Sequence, residues 1–114
     1  MNRSYGLAAL FALTLAAAPA AQTLMGTFQL DGNADFTMVI LPSPFGPGFV
    51  GQPYLRGQPI EGEFFYAFPI GDRRYKVENL RGNKSEVVIN SEGHLEFEMK
   101  SGPNTGRKTL WIRK

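Results

Sequence analysis

Apolar and polar residues alternate along most of the chain beyond its first twenty residues, which is the pattern of β-strands with one buried face. No window in that region repeats apolar residues at helical spacing. The first strand places Phe28 and Leu30 on one side, and the second places Met38 and Ile40 on one side, with a turn at residues 31–33 between them. We therefore predict an all-β domain.

The apolar residues of two strands near the C-terminal end predict how these strands pair. Val87 and Ile89 have to face Leu95 and Phe97 on the core side of a hairpin. The three-residue turn between them ends at Gly93, which suits the left-handed position of such turns. The hairpin therefore has a defined pairing.

The same register sets Glu86 opposite Glu98, a mildly unfavourable pair that Arg107 can relieve. In the next strand, Leu110 and Ile112 are expected on the core side, because a slip of one residue would turn them to solvent. Trp111 and Arg107 then belong to the outer face.

Proline and glycine are frequent between residues 42 and 59. Because proline lacks the ladder donor and glycine weakens strands, we predict a long loop there, with at most one short edge strand at 49–56. A strand with two apolar faces follows at 61–70, and a glycine-first hairpin turn follows at Gly71. The whole pattern indicates a small antiparallel meander of about seven to eight strands that forms a barrel or a two-layer sandwich.

An apolar run from Leu7 to Ala18 ends in the small-x-small pattern 18–20, which is typical of a signal peptide. The run is shorter than the ~20 residues that a membrane-spanning helix needs. We expect residues 1–20 to be a signal peptide cleaved after Ala20, and residues 21–114 to form a single secreted or periplasmic β domain. The alanine-rich signal indicates a bacterial protein.

The chain has no cysteine and a formal net charge of +2. The domain is therefore expected to depend on core burial rather than disulfides, and the charge gives no argument for a nucleic-acid partner. The sequence has no second long apolar stretch, so no membrane span is predicted. We expect no cofactor, and the sequence leaves the oligomeric state open.

Candidate catalytic and metal groups are sparse. Residues 31–35 begin like a calcium loop, but the pattern breaks at Phe36, so a hairpin turn is the better interpretation. Glu61 and Glu63 share a face of the predicted strand at a spacing that a glycosidase could use, as do Glu86 and Glu98 in their pair. The lone His94 is expected to be a solvent-exposed strand residue. We therefore predict no catalytic site and no metal site.

An excess of aromatic residues is the better indication of function. Phe45, Phe49 and Tyr54 lie in the predicted loop, and Phe65 and Trp111 lie on faces that are otherwise polar. These rings either pack over an open end of the barrel as core, or form an exposed patch that binds a partner, a hydrophobic ligand or another copy. All five are candidate binding residues.

Gly26, Thr27 and Phe28 on the first strand, with Arg113 in the last, resemble the lipocalin and fatty-acid-binding barrels. In those families a Gly-x-Trp motif near the start packs against a basic residue near the end, and here Phe28 replaces the tryptophan. The resemblance implies a barrel that binds a small hydrophobic ligand. The leading hypothesis is a non-enzymatic module that binds an unknown partner, with the ligand-binding barrel as the alternative and a small hydrolase as a third.

Overall fold

A computed structural model describes residues 23–114, and every regular element in that range is a β-strand. The predicted signal peptide and its cleavage point lie outside the described residues. No helix within 23–114 has the length and hydropathy needed to cross a membrane. The strands are β1 (Gly26–Leu30), β2 (Phe36–Pro42), β3 (Phe49–Leu55), β4 (Gln58–Pro59), β5 (Phe65–Gly71), β6 (Arg74–Asn79), β7 (Lys84–Ile89), β8 (Leu95–Met99) and β9 (Lys108–Arg113).

Eight of these strands form one closed antiparallel barrel. Each barrel strand pairs with its neighbours in the chain, and β9 returns to pair with β1. The short strand β4 is an addition at the edge of β3. The predicted all-β meander is confirmed, and of the two architectures left open it is the barrel that forms.

The proline- and glycine-rich region is mostly part of the barrel wall. The strand expected at 49–56 is present as β3, but it is a wall strand rather than an edge strand, so the prediction of a long loop is wrong. Strand β3 pairs with β2 along its whole length, and only residues 43–48 form the loop between them. Pro53 is tolerated because β3 pairs with β5 only through Phe49–Gly51 and with β4 only through Tyr54–Leu55. The N–H group that proline lacks would point into the gap between those two ladders, so its absence removes no hydrogen bond.

Large apolar side chains fill the interior of the barrel. Gly51 lies directly opposite Phe65, and a Cβ atom on Gly51 would overlap the Phe65 ring. The glycine therefore makes room for an aromatic side chain that points inward. The expectation that Phe65 lies on an outer face is wrong. The buried apolar residues are Leu24, Phe28, Met38, Ile40, Phe65, Ala67, Val77, Val87, Ile89, Leu95, Phe97 and Trp111.

The hairpin between β7 and β8 has the predicted register. Val87 pairs with Phe97 and Ile89 with Leu95, and Gly93 takes a left-handed φ of 86° at the end of the turn. The turn chemistry and the apolar alternation agree here, so the sequence determines the pairing.

The register between β8 and β9 differs by one residue from the prediction. Leu95 pairs with Trp111, so Trp111 faces the interior and is 8% exposed, while Leu110 and Ile112 face outward and are half-buried. The placement of Trp111 on the outer face is therefore wrong. The observed register buries the indole opposite Leu95, and it places Arg113, two residues further along the same face, over the buried Phe28 ring.

The hairpin turn between β5 and β6 also differs from the prediction. Its two central residues are Asp72 and Arg73, and Gly71 is the last residue of β5, paired with Arg74. The residue with positive φ is Arg73, at 59°, rather than the glycine.

Arg113 joins the last strand to the first. Its Cζ atom lies 4.7 Å from the centroid of the Phe28 ring, which is a cation–π contact. Gly26 has a φ of 151°, and a Cβ atom there would come within 2.8 Å of Arg113 Nη1. The packing implied by the resemblance, between an aromatic residue of the first strand and a basic residue of the last, is therefore present. The guanidinium also donates hydrogen bonds to the carbonyl oxygens of Thr23 (2.7 Å), Met25 (2.7 Å) and Gly93 (2.8 Å).

Candidate functional site

The barrel has one closed end and one open end. Leu24 is fully buried at the closed end, where the rings of Phe49 and Tyr75 also meet edge-to-face at 5.7 Å. At the opposite end a cavity of about 480 Å³, here called the cup, opens between the connecting turns. Its volume is within the range of small-molecule binding sites. Apolar side chains that line the cavity include Leu30, Phe36, Met38, Phe65, Phe97, Met99 and Trp111.

Polar side chains also line this cup, and the uncharged ones are Asn33, Asn79, Asn83, Ser85 and Thr109. Ser85 is buried, at 8% exposed, and its hydroxyl makes no hydrogen bond to any residue in 23–114. The Nε1 atom of Trp111 donates to Thr109 Oγ1 at 3.1 Å, so the polar atom of the indole is satisfied within the wall. The Ser85 hydroxyl is therefore one polar group of this wall that is available to a ligand, and the Asn83 side chain, which also lines the cavity, is another.

Two charged side chains lie at the mouth of the cup. Glu63 Oε2 is 3.8 Å from Arg81 Nη1, so this carboxylate has a cationic partner. Arg107 is exposed, and its side chain forms no ion pair or hydrogen bond with the residues that the structure describes. The mouth thus presents one guanidinium that is free to bind.

The five aromatic candidates do not form one surface. Phe65 and Trp111 both line the cavity, while Phe49 packs inside the closed end against Tyr75. Tyr54 lies on the outer side of β3, and Phe45 is 85% exposed in the loop between β2 and β3. Only Phe65 and Trp111 are therefore brought together, inside the cup, and the binding role of all five stays a prediction.

Three polar residues that line the cavity were not predicted from the sequence: Ser85, Thr109 and Arg107. Alternation counted backwards from an inward Trp111 places Thr109 and then Arg107 on the inner side. The sequence contains this alternation, but the prediction that Leu110 and Ile112 face the core assigned Thr109 and Arg107 to the outer face.

The first carboxylate pair does not share a strand face, contrary to the prediction. Residues 61–64 precede β5, and Glu63 N–H donates to the carbonyl of Ile60 at 3.2 Å in a turn. Glu61 is exposed, and Glu63 belongs to the mouth of the cup. The two side chains therefore have separate surroundings.

Glu86 and Glu98 lie directly opposite each other, as predicted. The expected relief by Arg107 is wrong. Arg74 Nη1 lies 3.3 Å from Glu86 Oε1, and Lys100 Nζ lies 3.4 Å from Glu98 Oε2. Each carboxylate thus has its own cation on the outside of the barrel.

His94 is half-buried and has a structural partner, so the expectation of a solvent-exposed side chain is wrong. Its Nδ1 atom accepts a hydrogen bond from the Arg113 backbone N–H at 3.0 Å. Among residues 23–114, no group of three histidine, cysteine, aspartate or glutamate side chains is placed to hold a metal ion. Residues 31–35 form the turn between β1 and β2, where Asn33 Oδ1 accepts from Asp35 N–H at 3.1 Å.

Burial shifts the pKa of two groups at the closed end. It lowers the pKa of the Arg113 guanidinium from its ordinary value. Burial also raises the pKa of the Tyr75 phenol, and the negative charge of Asp72 adds to this effect. Both groups belong to the end of the barrel away from the cup.

Comparison with known proteins adds no relative: no protein family, no curated protein and no solved structure matches this chain.

Proposed function

We propose that this chain is a small non-enzymatic binding protein that holds an apolar ligand inside its barrel. The observation that carries the proposal is the cavity of about 480 Å³, which has apolar walls, an open mouth and a closed floor. Of the functions that the sequence leaves open, the ligand-binding barrel is therefore preferred to the partner-binding module.

The architecture suits ligand binding in energetic terms. Each Å² of apolar surface that a ligand buries contributes about 25 cal/mol, so contact with Phe36, Phe65 and Trp111 favours an apolar guest. The walls are paired strands of a closed barrel, so the site is already formed before binding and little ordering is required.

The positions of the titratable side chains favour binding over catalysis. Glu86 and Glu98 are ion-paired on the outside, and Glu63 is the carboxylate that lines the cup. His94 engages the backbone of Arg113 at the closed end, whereas Ser85 lies near the mouth. Ser85 and His94 are therefore not brought together as nucleophile and base.

The single tryptophan of the chain is a built-in reporter, because Trp111 lines the cup. Titration with decanol should change its fluorescence in a saturable way. Thr109→Phe fills the cup and should abolish that change, while Lys108→Phe, one residue away on the outer face, should retain it. Melting curves establish that both variants fold. Equal responses from the two variants, or no response from the unchanged chain, would contradict the proposal.

Binding of a partner protein is a second candidate, favoured by apolar side chains on the outside of the closed end. Phe45 is 85% exposed, Leu41 54% and Ile70 46%, and all three lie in or beside the connections at that end. Such a cluster fits an apolar partner surface. The double variant Leu41→Ser/Phe45→Ser should lose a partner that the unchanged chain retains, with stability unaffected. Retention of the same partner by the variant would count against this function.

A further inference from the structure

We infer that the ligand is an amphiphile with one anionic head group, bound at the mouth of the cup by Arg107 and Ser85. The inference rests on the proposed function, because it assumes that the apolar part of the ligand occupies the cavity. The anionic head group is the part of the ligand that stays near water.

Arg107 supplies the charge that selects the head group. Its guanidinium lines the mouth and has no partner among residues 23–114. A guanidinium offers a fork of N–H donors that matches a carboxylate, and such charge-assisted hydrogen bonds are about twice as strong as neutral ones. An anion at the mouth would complete the hydrogen bonding of this side chain.

Ser85 supplies a second donor at the same level of the barrel. Ser85 pairs with Met99, and the Met99 N–H donates to the carbonyl of Arg107 at 2.9 Å. Ser85 in β7 and Arg107, the residue before β9, therefore flank Met99 on its two sides, and the spacing of strands places their Cα atoms about 10 Å apart. A carboxylate above Met99 can accept from the serine hydroxyl on one side and from the guanidinium on the other.

The other charged residue of the mouth does not favour a cationic head. Glu63 already faces Arg81, with 3.8 Å between Oε2 and Nη1. Of the two charged residues that line the mouth, Glu63 therefore has a cationic partner, whereas Arg107 has none among residues 23–114. An anionic head is attracted, whereas a cationic head would have to compete with Arg81 for Glu63.

The apolar lining fixes the orientation of the amphiphile. Phe65 and Trp111 lie deeper than Arg107, in the part of the cup that leads to the closed end. The hydrocarbon part is therefore directed inward, and the head group stays at the mouth, where water still reaches it. This orientation buries the apolar surface without burying the charge.

Three probes with the same hydrocarbon chain test the inference: sodium decanoate, decanol and decylammonium chloride, each titrated against Trp111 fluorescence. Decanoate should bind most tightly and decylammonium least. Arg107→Gln should weaken decanoate at least about tenfold and leave decanol nearly unchanged, since a hydrogen bond to a charged group is lost. Lys108→Gln is the matched control, because it removes the same charge from the next residue on the outer face, and decanoate binding should stay nearly unchanged.

Two further variants test the roles of Ser85 and Glu63. Ser85→Ala should also weaken decanoate more than decanol, and Glu63→Gln should tighten decanoate because it removes a negative charge from the mouth. Equal affinity for decanoate and decanol, or equal losses in Arg107→Gln and Lys108→Gln, would overturn the inference and leave the apolar cup standing. If neither decanol nor decanoate binds, the proposed function fails and the inference fails with it.

Discussion

The guanidinium of Arg113 covers the ring of Phe28, with 4.7 Å between Cζ and the ring centroid. The same group donates to carbonyl oxygens that precede β1 and to the carbonyl of Gly93 in the turn before β8. One side chain thus ties the last strand to the first strand and to the floor of the barrel. Its contribution is structural and lies at the end away from the cup.

Arg113→Ala should therefore lower the free energy of unfolding by about 2–4 kcal/mol, because charge-assisted hydrogen bonds and a cation–π contact are lost together. Arg113→Lys should recover only part of this, since an ammonium group cannot reach several carbonyls in a fixed fork. Chemical denaturation measures both. Lys114→Ala removes the same charge from the exposed neighbour and should stay within about 0.5 kcal/mol of the unchanged protein, and equal losses at 113 and 114 would refute this assignment.

Gly51→Ala tests the close approach of β3 to the ring of Phe65. The added methyl group would overlap that ring, so we expect a loss of about 1–3 kcal/mol in the free energy of unfolding. Gly71→Ala is the control, because the nearest atom to its added Cβ is Arg74 Cβ at 4.0 Å. A stable Gly51→Ala protein would show that Phe65 can move within the cup.

Phe45 and Phe49 lie four residues apart but differ in burial, which predicts opposite outcomes for the same substitution. Phe49→Ser should cost about 2–4 kcal/mol, because the ring packs against the core and against Tyr75. Phe45→Ser should change stability by less than about 0.5 kcal/mol, since that side chain is 85% exposed. Melting temperatures of the two variants measure the contrast, and similar values would contradict these placements.

Tyr75 predicts how stability depends on alkaline pH. Its pKa in the folded barrel is raised above the ordinary 10.0, so the unfolded chain loses the phenol proton first. The stabilisation is complete below that ordinary value and is lost as pH rises through the folded value. Denaturation at a series of pH values should show a fall above about pH 10, and the fall should be smaller in Tyr75→Phe. Tyr66→Phe, on the exposed outer face, is the matched control, and an unchanged profile in Tyr75→Phe would disprove the prediction.

The sequence predicts register where a turn determines it and fails where a loop does not. Between β7 and β8 the left-handed Gly93 permits one pairing, and the apolar residues agree with it. Before β9 the loop is longer, and Leu110, Trp111 and Ile112 are consecutive apolar residues. Either face of that strand can therefore be read as the buried one. The choice depends on the space inside the barrel, which the sequence does not show.

The central position of β3, which was expected to be an edge strand at most, and the unpredicted site residues have related causes. Pro53 argues against a central strand by local rules, and it is tolerated only because β5 and β4 leave a gap beside it. Arg107 and Ser85 are polar residues, which local rules assign to solvent, although both line the cup. Each case depends on contacts between strands that are distant in the chain. The fold class could therefore be predicted, and Phe65 and Trp111 were among the candidate residues, whereas the polar lining of the cup could not be placed without the register of β9.

The pairing of β1 with β9 also affects how the protein is made. Arg113 reaches back to a carbonyl 88 residues earlier, so the seam between the two strands joins distant parts of the chain. Local hairpins such as β7–β8 can form as they emerge during synthesis, but β1 has no partner on its second edge until residue 113 has been translated. A nascent chain stalled before that residue would expose an unprotected edge to other chains, so interrupted translation should yield aggregates rather than a smaller folded product.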